Sequence, residues 1–398
     1  MKKRILQLTL ENAVAFKGKA NPKAVINKII PTVKDKSKLR AIGKEVSDTI
    51  KKVNKLSLSK QKAQLKKINP SFFNKKVKVK KELIDLPNVG KNFRARFAPS
   101  ASGPLHIGHA LVISLNKIYA GKYKGKHILR IEDTNPDANF KEFYKMIPKD
   151  YAWLAGKPSE TYIQSARIKT YYKYAEQLIK AGHLYVCEET PEEVKAKLKK
   201  GIQPFGRRDD PKEVLRKWKR MLTGKYNPGE AVVRVKTNLK GKNPALKEWV
   251  AFRISGGTHP KVGNKVRVWP LMNFSVAIDD YELKMTHVIR GKDHEDNTKK
   301  QKMIYDFLGW TYPEYIHLGR INFKNMIISA SDVRKGVEEG KYTGYDDERV
   351  ETLASIRKRG IKAKALLKFF YEMGPTKRDK TVDKKEVYKT LDALNRKL

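Results

Sequence analysis

The stretch ARFAPSASGPLHIGHA at residues 95–110 constrains the fold of this chain more than any other part of it. Its apolar start is typical of a short strand that ends near Phe97–Ala98, and a loop rich in Pro, Ser and Gly separates that strand from a helix beginning near His106. Short apolar or β-branched runs recur downstream, with helical stretches such as 107–120 and 167–181 between them. Strands that alternate with helices are typical of a parallel sheet, so we predict an α/β fold.

This strand–loop–helix unit also predicts a nucleotide site. Open α/β sheets bind ligands beyond the carboxyl ends of their strands, where a helix N-terminus favours phosphate. Gly103 and Gly108 would let a nucleotide lie close to the main chain. His106 and His109 are three residues apart, so they project from one helix face and could donate hydrogen bonds to charge developing on an α-phosphate. Two histidines at this spacing are more often surface residues beside a turn, and only the whole string favours the site.

Charge is the unusual feature of the composition. The 398 residues include 87 Lys and Arg against 42 Asp and Glu, for a net charge of +45. A polyanion such as RNA is the partner we expect, because each neutralised phosphate releases condensed counterions. A surface adapted to an unusual cytoplasm, or to an anionic membrane, is the alternative. Residues 1–90 contain 24 basic and 6 acidic residues, and apolar positions from Leu39 to Val53 recur every three or four residues, which predicts a basic helical domain.

Other classes of protein fit the sequence poorly. Cys187 is the single cysteine, so neither an intrachain disulfide nor a cysteine-based zinc site is expected. The N-terminus lacks the apolar core of a secretory signal, and no apolar run approaches the roughly 18 residues of a spanning helix. We therefore expect a cytoplasmic protein that has no membrane partner.

The string PSASGPLHIGH resembles the HIGH signature of class I aminoacyl-tRNA synthetases, and GKHILRIEDTNP at 125–136 resembles their glutamyl branch. Further segments are similar to the archaeal-type glutamyl-tRNA synthetases: GKANPKAV (18–25), EWVAFRI (248–254), MNFSVAIDD (272–280), THVIRGKDH (286–294), FLGW (307–310) and RKRGI (357–361). The resemblance covers nearly the whole chain. It implies a Rossmann-like class I catalytic α/β domain over 91–345 with an acceptor-binding insertion near 185–270, a helical N-terminal extension over 1–90, and a helical stem-contact region over 346–398.

The resemblance also implies roles for single residues. The positions expected to bind glutamate are Arg96, Ala98, Ser100, Glu132 and Arg290. The positions expected to bind ATP are Pro99, Gly103, His106, Gly108, His109, Asp293, His294, Ser329 and Ser331. Of these, His106, His109 and Ser329 are expected to be catalytic.

The residue types suit those roles, although each has a structural alternative. A carboxylate at a strand end, Glu132, can bind an α-ammonium group, and an arginine fork binds a carboxylate bidentately. From the residues alone, Glu132 could instead cap or pair with a neighbour, and Arg96 or Arg290 could form a structural ion pair. The pair Asp293 and His294 could equally form an ordinary turn.

The chain departs from the family pattern at the second class I signature, which is Lys-Met-Ser-Lys-Ser in the family. The aligned segment, Ile327 to Ser331, reads Ile-Ile-Ser-Ala-Ser and contains neither lysine. Lys324, Arg334 and Lys335 are possible substitutes. We expect this segment to limit the first chemical step.

Two further departures concern domains and metal. The sequence ends at Leu398, where similar enzymes continue into β-barrels that read the anticodon. The cysteine cluster that follows YVC in some relatives is missing, so we expect no structural zinc.

Taken together, the residues and the resemblance predict a monomeric enzyme that uses ATP and Mg²⁺ to attach L-glutamate to tRNA-Glu through a glutamyl-adenylate. Charging of tRNA-Gln stays open. One alternative is a truncated paralogue that glutamylates another acceptor, such as a modified base within a tRNA. The other is a basic tRNA-binding protein that is catalytically weak.

Overall fold

The computed structural model describes residues 1–33, 37, 39–73 and 83–398. The chain divides into two compact units, Met1–Lys81 and Glu82–Leu398. Residues 75–92, where Pro87 and Gly90 predict a linker, lie outside the described residues as far as position 82, and the remainder belongs to the larger unit.

The described part of the first unit is helical, with α1 (Lys2–Ala15), α2 (Pro22–Ile29), α3 (Leu39–Asn54) and α4 (Leu58–Ile68). The spacing seen in the sequence places one apolar stripe of α3 in the core, because Val46, Ile50 and Val53 are all buried. Asn21 begins α2 by accepting a hydrogen bond from the main chain of Ala24, and Pro22 at the first helical position is compatible with that start.

The larger unit contains eleven strands in its described part. They are β1 (Arg94–Phe97), β2 (Lys126–Ile131), β3 (Glu160–Ile163), β4 (Leu184–Cys187), β5 (Val232–Val235), β6 (Val250–Ile254), β7 (Val268–Pro270), β8 (His287–Gly291), β9 (Glu314–Leu318), β10 (Ile321–Lys324) and β11 (Lys380–Asp383). Five of them form a sheet in the order β3-β2-β1-β8-β9, and every pair in that sheet is parallel. The predicted parallel α/β fold is confirmed.

A helix follows each of β1, β2, β3 and β8, and the larger unit contains eleven α-helices in its described part. They are α5 (Ile107–Lys122), α6 (Phe143–Ala155), α7 (Ile168–Lys180), α8 (Pro191–Lys199), α9 (Pro211–Leu222), α10 (Met272–Glu282), α11 (Glu295–Leu308), α12 (Ala330–Glu338), α13 (Leu353–Lys358), α14 (Ala363–Met373) and α15 (Lys384–Asn395). The stretches predicted as helices at 107–120 and 167–181 are α5 and α7. No helix in the described ranges has the length and apolar character that crossing a membrane would require.

A second sheet interrupts the parallel one along the chain. Strands β4, β5, β6 and β7 form it in sequence order, and all its pairs are antiparallel. It packs with α7 and α9 around a core of its own that contains Trp218, Phe252 and Trp269. The chain returns from the antiparallel sheet to β8 through α10. Because a helix that leads into a parallel strand runs in the opposite direction to it, the start of α10 and the antiparallel sheet before it lie near the carboxyl ends of the parallel strands.

The C-terminal region contains one strand that the sequence analysis missed. Residues predicted to be entirely helical include β11, which pairs in parallel with β10. The partner strand is about sixty residues away in the chain, so local periodicity gives no sign of the pairing. In α14, Leu366 and Phe370 are fully buried, whereas Leu367 and Phe369 are half-buried because they lie on the flanks of that helix face.

Candidate active site

A cavity of about 240 Å³ opens at the carboxyl edge of the parallel sheet. Because the five strands run in one direction, the residues that follow β1, β2 and β8 meet at this edge. The predicted site residues that line the cavity are Arg96, Ala98, Pro99, Ser100, His109, Glu132, Arg290 and His294. The predicted residues outside its lining are Gly103, His106, Gly108, Asp293, Ser329 and Ser331.

A buried ion-pair network forms one side of the cavity. Asp280 accepts hydrogen bonds from Arg96 Nε at 3.1 Å and Nη2 at 3.2 Å, and from Arg130 Nη1 at 2.6 Å. Arg130 also donates through Nη2 to Glu132 Oε1 at 2.8 Å. Burial alone would raise the pKa of Asp280, but the two guanidinium groups outweigh it and lower the pKa to about 2. The network therefore holds Arg96 and Glu132 in place while both still line the cavity.

Arg290 differs from Arg96 in having neutral partners. Its Nη2 donates to Thr298 Oγ1 at 2.6 Å and to Gln301 Oε1 at 2.8 Å, and its guanidinium lies 5.2 Å from the centre of the Tyr315 ring. Its Nε is buried without a hydrogen-bond partner in the described structure. Burial, together with the charge of Arg96, lowers the pKa of Arg290 to about 10, so the side chain remains a cation at neutral pH. A buried cation without a carboxylate partner is a binding position for an anionic ligand.

The two histidines of the HIGH segment form the start of α5. His106 is the N-cap, and its Nδ1 accepts a hydrogen bond from the Gly108 main-chain N–H at 3.1 Å. His109 Nδ1 accepts in turn from the His106 main-chain N–H at 3.2 Å, which completes a reciprocal cap. The two rings lie 3.8 Å apart between centres. The two imidazole rings are close together because of this cap. The spacing predicted that both histidines project from one helix face, but His106 precedes the helix.

The cap also determines what the imidazoles can donate. Burial lowers the pKa of His106 to about 4, and burial followed by the neighbouring His106 lowers the pKa of His109 well below its usual range. Both rings are therefore neutral at pH 7. Because each Nδ1 accepts a main-chain hydrogen bond, each Nε2 carries the proton and is a donor.

The segment aligned with the second signature lies against the HIGH loop. Ser329 caps α12 by accepting a hydrogen bond from Asp332 N at 3.3 Å, and its Oγ is 3.1 Å from Ser331 Oγ. A Cβ atom added to Gly103 would be only 2.7 Å from Ala330 Cβ. A glycine at position 103 therefore allows the two loops to contact each other. The sequence had suggested another reason for this glycine, the close approach of a nucleotide.

Gly108 has a similar local reason. A Cβ atom there would lie 2.9 Å from Cε1 of the His106 ring, so a side chain at 108 would disturb the reciprocal cap. Both glycines thus shape the segment around the histidines.

Of the three basic residues named as substitutes for the signature lysines, two have acidic partners on their own helix. Arg334 Nη1 is 2.6 Å from Glu338 Oε1, and Lys335 Nζ is 3.6 Å from Glu339 Oε1. Lys324 is exposed at the end of β10. None of the three basic residues lines the cavity. The N-terminus of α12, which carries the positive end of the helix dipole, is a further source of positive potential in this segment.

Asp293 and His294 follow β8 in a short turn. His294 lines the cavity, and its Nδ1 lies 3.0 Å from Asn297 Nδ2. Burial and then the charge of Arg290 lower the pKa of His294. The Asp293 side chain is 75% exposed and lies 3.5 Å from His294, so it is free to meet a ligand at the rim.

Arg130 and Asp280 organise the side of the cavity that contains Arg96 and Glu132, and neither residue was predicted from the sequence. Both are fully buried, and 150 positions separate them along the chain. The signal was present, since an arginine inside the apolar strand run HILRI and a paired acid after MNFSVAI both need buried partners. The identity of those partners could not be predicted, because the fold brings together residues that are far apart in the chain.

A second cavity, of about 600 Å³, shares Ser100, Glu132 and Met272 with the first. It extends towards the antiparallel sheet, where Trp249 and Arg253 line it. The two cavities therefore join the edge of the parallel sheet to the inserted sheet.

Comparison with known proteins places this architecture in a family. Residues 92–397 match the family described as tRNA synthetases class I (E and Q), catalytic domain. A glutamate–tRNA ligase of Pyrococcus abyssi is 46% identical over 402 residues, and one of Pyrococcus furiosus is 45% identical over 408 residues. These alignments cover 99% and 100% of this chain and 70% of each relative.

A solved structure agrees with the sequence relatives. The crystal structure of a glutamate tRNA ligase from Elizabethkingia meningosepticum, in complex with its amino acid, aligns with a TM-score of 0.50 and 27% identity, covering 70% of this chain and 60% of that one. The predicted Rossmann-like class I catalytic fold and the predicted resemblance are confirmed. The chain belongs to the glutamate–tRNA ligases within the class I tRNA synthetases.

Proposed function

We propose that this glutamate–tRNA ligase binds its amino acid in the 240 Å³ cavity. The observation that carries the proposal is Arg290, a buried cation without a carboxylate partner in the described structure, which faces the same cavity as Glu132. Glutamate presents two carboxylates and one ammonium group. Arg290 and Arg96 would bind the carboxylates, and Glu132 would bind the ammonium. Burial raises the pKa of Glu132, and an ammonium partner would favour its ionised form.

Selection against glutamine follows from the same charges. A neutral amide in place of the side-chain carboxylate would leave a buried guanidinium without its anion. A site built to bind a charged group discriminates strongly against a neutral analogue for this reason.

ATP would lie on the HIGH side of the cavity, with its triphosphate between the histidine pair and the start of α12. The neutral Nε2–H groups of His106 and His109 would donate to the α-phosphate oxygens. Ser329, Ser331 and the main-chain N–H groups at the start of α12 would receive the outer phosphates. Pro99, Gly103, Gly108, Asp293 and His294 would shape the remaining wall, an assignment supported by the resemblance to class I synthetases and, for Pro99 and His294, by their place in the cavity lining.

Two bond exchanges complete the proposed reaction. An oxygen of the glutamate α-carboxylate attacks the α-phosphorus of ATP, a P–O bond forms, and pyrophosphate leaves. The carboxylate is already ionised, so no general base is needed. A ribose hydroxyl of tRNA then attacks the carbonyl carbon, the bond to the phosphate oxygen breaks so that AMP leaves, and the hydroxyl proton passes to the departing phosphate or to water. The protein contributes position and hydrogen-bond donors to both steps.

The residues present fit a Mg²⁺ ion that arrives with the nucleotide. Among the described residues, no group of three or more His, Cys, Asp or Glu is arranged to hold a metal. Mg²⁺ commonly binds through substrate phosphates, waters and one or two protein oxygens, and the hydroxyl groups of Ser329 and Ser331 offer such oxygens. When bound, the ion would neutralise phosphate charge. We propose no zinc site.

The tRNA acceptor end would approach through the 600 Å³ cavity, because that cavity reaches Ser100 and Glu132 from the inserted sheet. The net charge of +45 supports binding of the tRNA backbone. We propose that the acceptor-binding insertion near 185–270 and the stem-contact region over 346–398 bind tRNA-Glu. We also propose that the enzyme is a monomer and works in the cytoplasm.

The test is aminoacylation with labelled glutamate, purified tRNA-Glu and tRNA-Gln, and the purified chain. We expect glutamate to become acid-precipitable on tRNA-Glu only when ATP is present. Nuclease digestion would show where the label lies: label on an internal oligonucleotide, and not on the terminal adenosine, would support the paralogue instead. Tight tRNA binding without transfer would support the weak RNA-binding protein, which the absence of the signature lysines favours as the second candidate.

A further inference from the structure

The main chain of Glu351 connects the two segments assigned to ATP. Its carbonyl oxygen accepts a hydrogen bond at 3.0 Å from the N–H of Ile107, the first residue of α5. Its own N–H donates at 3.1 Å to the carbonyl oxygen of Ile327, at the start of the second segment. One residue therefore hydrogen-bonds to both segments.

The neighbours of Glu351 strengthen this connection. His106 and Thr352 form an antiparallel bridge, and the Leu353 N–H donates to the Leu105 carbonyl oxygen at 2.8 Å. Residues 351–353 thus run antiparallel to the HIGH segment and set the position of its histidine N-cap.

The side chain of Glu351 fixes the connection to the C-terminal helix. The residue is fully buried, and its Oε2 accepts hydrogen bonds from Arg359 Nη1 at 3.2 Å and from the hydroxyl group of Tyr388. Its Oε1 forms an ion pair at 2.6 Å with Nζ of Lys384. Lys384 and Tyr388 both belong to α15, so the buried carboxylate connects that helix to the loop before α13.

We propose that Glu351 is a positioning residue that sets the separation of the two ATP-binding segments and couples it to α15. The inference rests on the proposed ATP site. Glu351 lines neither cavity, so it acts through the main-chain hydrogen bonds to Ile107 and Ile327. Those bonds need no particular side chain, but their place in the molecule is determined by the buried carboxylate and its two cations.

The predicted consequence is specific to one substrate. A shift of residue 351 would move the histidine cap and the start of α12 relative to each other, and both are assigned to ATP. The amino-acid end depends on Arg96, Glu132 and Arg290, which lie on or directly after β1, β2 and β8 and form none of their described hydrogen bonds with residues 351–353. A purely structural role would instead lower the amount of folded enzyme, which reduces the apparent kcat and leaves both KM values unchanged.

The experiment measures pyrophosphate exchange with tRNA present for wild type, Glu351→Gln and Lys384→Met. We expect Glu351→Gln to raise the KM for ATP about 10- to 100-fold, the size of effect seen when reacting groups are misplaced by about 1 Å. The KM for glutamate should stay close to that of wild type. Lys384→Met should also raise the KM for ATP, by a smaller factor than Glu351→Gln.

Two matched controls make the same chemical changes at exposed neighbours. Glu348→Gln removes a carboxylate three residues earlier, and Lys385→Met removes an ammonium one residue later on α15. Both should behave as wild type. If Glu351→Gln does not fold, Lys384→Met decides the question with its own control.

Three outcomes would overturn the inference: a fall in kcat that is fully explained by a loss of active sites in titration, with both KM values unchanged, an equal rise in both KM values, or controls as impaired as the variants. A wild-type chain that does not activate glutamate would contradict the proposed function instead. Calorimetric titration of wild type and Glu351→Gln with ATP would then test the positioning role by itself, because weaker ATP binding by the variant supports it and equal binding refutes it.

Discussion

The amino-acid end and the nucleotide end of the proposed site carry their charge in different ways. At the amino-acid end, Arg96 and Arg290 are buried formal charges and Glu132 is a half-buried one, and the network around Asp280 holds Arg96 and Glu132. At the nucleotide end, the described residues provide neutral imidazoles and the start of α12, with no lysine in the signature segment. A short amino acid is thus selected by desolvated charges, whereas the triphosphate would be held by donors that carry no net charge.

The difference predicts unequal sensitivity to mutation. A buried formal charge is costly to leave without a partner, while a neutral donor contributes less to binding and more to the transition state.

Arg290→Ala should produce the largest and most selective loss. Glutamate bound without this partner would leave a carboxylate buried and unpaired, a cost of about 3–5 kcal/mol. The kcat/KM for glutamate should fall accordingly, while the KM for ATP changes little. Because Arg290 has only neutral partners in the free protein, its removal should leave the unfolding temperature nearly unchanged.

Arg96→Ala provides the contrast to Arg290→Ala. It would leave Asp280 with Arg130 alone, so it should lower thermal stability as well as glutamate use. Arg320→Ala, at an exposed arginine, is the inert control. If Arg290→Ala weakened both substrates equally, or melted the protein, Arg290 would be part of the scaffold and the comparison between the two ends would fail.

The sequence was informative where a functional residue follows directly from its own strand or helix. Glu132 after β2 and the histidines at the start of α5 could be placed because strand ends and helix starts are local features. The Arg96–Asp280 pair, the contact of Gly103 with Ala330 and the pairing of β11 with β10 could not be predicted. Each joins positions far apart in the chain, and local propensity contains no information about such partners.

His109→Ala should slow glutamate activation by about 10²–10³-fold, the usual loss for one transition-state donor. The KM for glutamate should change far less than the rate of pyrophosphate exchange. His109→Gln is the matched variant, because its amide can both accept the hydrogen bond from His106 N–H and donate to a phosphate. A full-rate His109→Ala enzyme would remove His109 from the ATP site.

The pH dependence sharpens the same prediction. The pKa values of His106 and His109 lie below the usual 6.5, so both rings stay neutral as the pH falls from 8 to 6. Activation should therefore show no inflection near pH 6.5 and should decline only as the pH approaches about 4, the pKa of His106. A rate that rises as the pH falls through 6.5 would show that imidazolium, a formal charge, is the active donor.

Gly103→Ala should separate the two nucleotide-binding loops. The new Cβ would lie 2.7 Å from Ala330 Cβ and 3.2 Å from the Ala330 carbonyl oxygen, so one loop must move. Overpacking of this kind costs about 1–3 kcal/mol, and we expect this cost to appear as a higher KM for ATP. Adding Ala330→Gly should restore part of the loss. Gly121→Ala, where nothing lies within 4 Å, is the control and should be neutral.

Ala330→Lys is expected to give the smallest effect, a modest gain in the first chemical step. A preorganised charged donor is typically worth about 3–4 kcal/mol in a transition state, and pyrophosphate departure places negative charge near this loop. Only part of that should be recovered. Residue 330 begins α12, whose positive end opposes a cation by about 0.3–1 kcal/mol, and its side chain starts against Gly103.

The competing view is that the segment already has its cation. Arg334 and Lys335 would have to leave Glu338 and Glu339 to supply it, and Lys335, at 3.6 Å from its partner, is the less tightly held. Pyrophosphate exchange by wild type, Ala330→Lys and Lys335→Ala separates the two views. A gain from the new lysine with no loss from Lys335→Ala would show that the nucleotide end works without formal charge and benefits from one. The opposite pattern would identify Lys335 as the substitute and make the two ends of the site alike.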